Sequence, residues 1–172
     1  MKNLAVALFS LGVILGACKS PKVATAPEPN VKSNYNEMVY SDSLFFHMEK
    51  SPCYGKCPVY SVDIYSNGKI IFVGRAFTEL EGTYRGQASE EFLKEILNYA
   101  NRINYFAMET KYDNENVTDL PSTVTHIYLK STDHGIYNRY EGPAELTAFE
   151  NFVHEELMEL DGWEKISGPK AQ

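Results

Sequence analysis

The sequence predicts an α+β domain: an antiparallel sheet built from a meander and a second hairpin, with two helices on one face. Three observations predict it. Residues 58–66, PVYSVDIYS, alternate with a period of two and lead through Asn67-Gly68 into a second apolar run. After Ser89 the apolar period becomes helical. A further strand pair then precedes a last helical stretch.

The elements follow in order over an expected domain at residues 42–163. Residues 43–49, starting at Ser43, read as a strand. In the next strand Tyr60, Val62 and Ile64 share one face, and Val59, Ser61, Asp63 and Tyr65 the other. Asn67-Gly68 predicts a type I′ hairpin, whose two central residues need φ > 0. Residues 69–77 form the return strand and 80–86 a third arm. Ser89 caps a helix with Glu90 and Glu91 in its first turn. Phe92, Leu93, Ile96, Leu97, Ala100 and Ile103 make its apolar face. Residues 111–122 are polar and read as a loop. Residues 123–130 and 135–140 form the second hairpin across Thr132-Asp133-His134. Gly142-Pro143 starts the last helix, with Leu146, Phe149, Val153, Leu157 and Leu160 inward. Residues 164–172 are left as a tail.

The N-terminus points to export. Residues 1–18 read MKNLAVALFSLGVILGAC: one early lysine, then an apolar run too short to span a bilayer. The stretch Leu15-Gly16-Ala17-Cys18 resembles the lipobox of bacterial lipoproteins. That resemblance implies a signal peptide at 1–17 and a covalent lipid on Cys18, with no other cofactor expected. Residues 18–41, rich in Pro, Lys, Ser and Ala, bury too little to order themselves and read as a flexible tether. The expected location is the bacterial cell envelope, lipid-anchored at the outer membrane.

Three cysteines are an odd number for an exported chain, but lipidation of Cys18 leaves a pair, Cys53 and Cys57. Neighbouring thiols in an oxidising compartment tend to join. Gly55 permits the turn and Pro58 biases Cys57 towards an extended backbone. Such a staple would make a rigid recognition loop of Tyr54 and Lys56, or would simply end a strand.

The run Cys53-Tyr54-Gly55-Lys56-Cys57-Pro58-Val59-Tyr60, with the strand, turn and Gly74 after it, resembles the signature of a bacterial envelope family, domain of unknown function 6438. Thr118-Asp119-Leu120-Pro121 resembles a second, weaker element of it. The resemblance implies the fold over roughly 43–161 and no activity. The candidate binding residues are Tyr54 and Lys56 of the loop, with Tyr60 and Asp119 from the two elements of the resemblance. Cys53-x-x-x-Cys57-Pro58 also resembles the Sco-type copper chaperones, which would make Cys53, Cys57 and His126 or His134 copper ligands. There, however, the cysteines lead into a helix, and here Pro58 opens a strand.

Other chemistry has little support. His47, His126, His134 and His154 show no zinc-helix pairing. Asp113, Glu115 and Asp119 lack EF-hand spacing. There is no nucleophile elbow. A net charge of −7 without a basic cluster argues against nucleic acid and against direct binding to anionic bilayers. The reading favours a non-catalytic envelope domain that meets the membrane through its lipid and binds a protein or cell-wall partner. A copper or thiol-redox accessory is the alternative. A hydrolase using Asp63 and Asp119 is a third reading, supported by residue type alone.

Overall fold

The computed structural model describes residues 43–167. The expected signal peptide, Cys18, the tether and the end of the tail lie outside the described residues. Among the described residues one sheet carries eight strands: β1 (Leu44–Lys50), β2 (Val59–Tyr65), β3 (Lys69–Ala76), β4 (Gly82–Gln87), β5 (Lys111–Tyr112), β6 (Thr123–Tyr128), β7 (Asp133–Asn138) and β8 (Glu164–Ser167). Helices α1 (Glu90–Arg102) and α2 (Ala144–Glu159) complete an α+β fold, with a 3₁₀ turn at Tyr105–Ala107. The strand order is β5-β7-β6-β1-β2-β3-β4-β8, antiparallel except where β5 meets β7.

The period-two pattern sorts side chains as read. Tyr60, Val62 and Ile64 of β2 are buried, as are Ile70 and Phe72 of β3 and Phe46 and Met48 of β1. Both helices lay their apolar faces on this side. Phe92, Leu93, Ile96, Leu97 and Ala100 of α1 and Leu146, Phe149, Val153 and Leu157 of α2 join one core. Phe149 meets the rings of Phe46, Tyr99 and Tyr105 at centroid distances of 5.5–6.1 Å. Ser89 Oγ accepts from Phe92 N at 3.1 Å, the cap expected for α1.

Four local readings are corrected. At the β2–β3 turn only Gly68 has positive φ (+83°), and Gly68 N donates to Tyr65 O, so this is not a type I′ turn. The three-residue connection with a left-handed glycine satisfies the same twist. In the second hairpin Asp133 and His134 belong to β7, because Tyr128 pairs with Asp133, and the chain reverses across Leu129–Thr132. Lys111–Tyr112, read as loop, adds β5 in parallel to β7. Glu164–Ser167, read as tail, is a strand on β4. Trp163 draws it back by packing its ring against Gly86 and Phe72.

Candidate functional site

Register gathers the two segments that carried the family resemblance at one end of the sheet. β1 ends at Lys50, opposite Tyr60 of β2 on one side and Thr123 of β6 on the other. The disulfide loop leaves from β1, and Thr118–Pro121 arrives just before β6. Ser51 and Ser122 lock the two together. Ser51 N donates to Ser122 O (2.9 Å), Ser122 N donates to Ser51 Oγ (2.7 Å), and the two hydroxyls are 2.9 Å apart.

Cys53 and Cys57 are joined, with Cα atoms 5.8 Å apart. The closed loop holds Tyr54 92% exposed, with Lys56 beside it also exposed. On the facing segment Asp119 adopts φ +63°, Thr118 Oγ1 donates to its carboxylate (3.0 Å), and Leu120 and Pro121 are exposed. Tyr60 is different. It is fully buried, stacked on Phe72 at 4.8 Å, opposite Gly74, with its hydroxyl 2.9 Å from His154 Nδ1. It braces the loop end from within and is not part of the exposed surface.

The acidic loop before Thr118 is organised by a cation of the chain itself. Arg139 Nε donates to Asp113 Oδ1 (2.5 Å), Nη1 to Val117 O (2.8 Å) and Nη2 to Asn114 O (2.9 Å). Lys111 reaches the other Asp113 oxygen at 3.2 Å. Partial burial pushes the Asp113 carboxyl up, yet the Arg139 and Lys111 bonds hold it below its ordinary value. Both carboxylate oxygens of Asp113 are thus taken, one by a guanidinium and one by an ammonium.

Beneath the loops lies a buried polar layer. Glu150 is 3% exposed and accepts from Asn138 Nδ2 at 3.0 and 3.1 Å. Burial raises its carboxyl to about 7, against the lowering effect of Asn138, Lys50 and Thr123. Burial lowers the Lys50 ammonium, and Glu150 offsets part of that. Burial, then the charge of Glu150, raise the Tyr60 phenol. Burial, then Lys50, lower the His154 imidazole.

The remaining candidates lie elsewhere. His126 is three residues along β6 from Thr123, about 10 Å further from the loop end at the usual strand rise. It bonds Asp133 and stacks on Tyr128 at 3.9 Å. His134 pairs with Ile127 one step beyond and meets the edge of Tyr105. Neither is brought to the sulfurs. Asp63 stands on the helix-free face, 2.7 Å from His47 Nδ1, and does not face Asp119. Among the described residues no group of three or more His, Cys, Asp or Glu is placed to hold a metal. None of their helices is long and apolar enough to cross a membrane.

The family described as Domain of unknown function (DUF6438) matches residues 45–157, well over half of the chain. The chain belongs to this family. The match runs from β1 into α2, so it holds the disulfide loop, the Thr118–Pro121 segment and Glu150, and it leaves β8 outside. No curated protein and no solved structure matches the chain.

Sequence reasoning overlooked Ser51, Ser122, Arg139 and Glu150. Only Glu150 carried a local signal, because it falls at i+4 from Leu146 and i−3 from Val153, on the inward stripe of α2. The other three act through contacts between distant segments.

Proposed function

We propose that this chain is a lipid-anchored protein of the bacterial envelope whose domain binds a partner at the loop end of its sheet and performs no catalysis. The observation that carries this reading is the Ser51–Ser122 lock. It joins the two motif segments and presents Tyr54 to solvent on a disulfide-closed loop. An exposed aromatic on a rigid loop suits recognition, because little side-chain or loop entropy is lost on binding. The short apolar leader ending in Leu-Gly-Ala-Cys supports the anchor.

Two measurements test the two halves. In cells fed a labelled fatty acid, the full chain should take up label and partition into the detergent phase, and Cys18→Ser should do neither. Unchanged membrane association of Cys18→Ser would overturn the anchor. Envelope fractions passed over the full chain should leave a bound partner or cell-wall fraction that Tyr54→Ala/Lys56→Ala loses. Equal retention by that variant would overturn the binding surface.

A further inference from the structure

We infer that the loop end of the sheet is a docking surface for a protein partner whose contact site is an apolar segment bordered by basic side chains. This rests on the binding-domain reading and adds the partner's chemistry.

Among the described residues four large apolar side chains stand exposed: Tyr54 (92%), Phe77 (53%), Ile166 (43%) and Leu120 (36%). Three of them share one end of the fold. Val59 opposes Ala76, so the β3–β4 connection carrying Phe77 emerges beside the end of the disulfide loop. Lys50 opposes Thr123, so the segment carrying Leu120 emerges on the loop's other side. The three segments therefore leave four adjacent strands, β6-β1-β2-β3. At roughly 4.8 Å per strand they span about 14 Å. One partner covers that width, since a stable interface takes about 800 Å² from each side.

The backbone that carries the three side chains is also constrained. A disulfide closes the loop of Tyr54. Phe77 itself sits at φ +53°, and Leu120 follows Asp119 at φ +63°. Side chains other than glycine rarely adopt this left-handed region, and they stay there only where the surroundings impose it. Apolar groups projected on such backbone are organised before any partner arrives.

Charge selects the kind of partner. Glu79 and Glu81 follow Phe77, Asp119 precedes Leu120, and all three acids are exposed. Lys56 adds one positive charge, and Arg75 at the end of β3 is already paired with Glu49 at 3.2 Å. The chain as a whole carries −7. A complementary surface is therefore basic at its rim and apolar at its centre, and an anionic bilayer would be repelled.

The test uses the full-length protein and an array of peptides with a fixed apolar core, flanked either by Arg and Lys or by Asp and Glu. The basic-flanked set should be retained at least tenfold better, and retention should fall at least tenfold in both Phe77→Ala and Tyr54→Ala. A benzophenone side chain placed at position 54, 77 or 120 in cells should crosslink to one and the same protein. Placed at 131, on the opposite turn, it should not. Preference for acidic flanks, or none, overturns the proposed chemistry. So does retention on purified peptidoglycan or on phosphatidylglycerol vesicles that depends on Tyr54 or Phe77, although a binding domain would then still stand. Failure to bind any of these probes, with equal crosslinking at 54 and 131, sinks both this inference and the reading beneath it.

Discussion

Ser51 and Ser122, 71 positions apart in the chain, share three hydrogen bonds, and the backbone N–H of Ser122 ends on the Ser51 hydroxyl at 2.7 Å. The two serines are unequal in this arrangement. Ser51 satisfies a backbone donor of a buried residue, and the Ser122 hydroxyl only adds to the bond.

Ser51→Ala should therefore cost more than Ser122→Ala. The first leaves an N–H unpaired at about 1–3 kcal/mol, and the second removes one bond at about 1 kcal/mol. Urea unfolding of both variants measures the order. Equal losses would mean that water replaces the hydroxyl freely.

Glu150 makes stability depend on pH in an unusual direction. Its carboxyl is raised from the ordinary 4.5 to about 7 in the fold, so between these values the native state binds more protons than the unfolded state. The stabilisation is complete below about 4.5 and is lost as pH rises through about 7. That difference corresponds to roughly 3 kcal/mol. His154, lowered by burial, works in the opposite sense, so the wild-type profile is a sum of the two. The expected result is that Glu150→Gln gains stability over wild type at pH 8 and not at pH 4.5. A difference constant across that range would show that Glu150 does not titrate there.

Trp163 ring carbons lie 2.6 and 2.9 Å from where a Cβ on Gly86 would stand. Gly86→Ala should push the indole outward and cost about 1–3 kcal/mol. A smaller side chain at 163 should relieve the crowding, so Gly86→Ala and Trp163→Leu should be less than additive. The chain has a single tryptophan, whose emission should shift to the red in Gly86→Ala as β8 lifts. Strict additivity would show that the two residues do not touch.

The Cys53–Cys57 bridge closes a five-residue loop. Chain-entropy arithmetic for so short a loop yields about 2 kcal/mol. Cys53→Ser/Cys57→Ser should lower stability by about 1–3 kcal/mol and leave the fold intact, since the core lies beneath the loop. Non-reducing alkylation followed by mass spectrometry should find both thiols blocked in exported protein. Two alkylated sulfurs would argue for a reactive pair in place of a staple.

The sequence by itself determined most of the elements and their inward faces, because alternation in β2 and the 3.6-residue stripe of α1 are local patterns that a single segment carries. The pairing of Cys53 with Cys57, an expectation that rested on their spacing and on reserving Cys18 for a lipid, is present in the fold as a disulfide. The family was legible too: the contiguous run from Cys53 to Tyr60 carried the resemblance, and the family matches residues 45–157. Tertiary structure alone decided the rest. Residues 164–167 carry no strong strand pattern, and they pair with β4 only because Trp163 finds the surface that Gly86 leaves open. Tyr60, a candidate binding residue, is core, since its strand face is set by the helices above it. The meeting of Tyr54, Phe77 and Leu120 depends on β6, β1, β2 and β3 lying side by side. That adjacency brings together segments far apart in the chain, and the burial of both helices over one shared face imposes it.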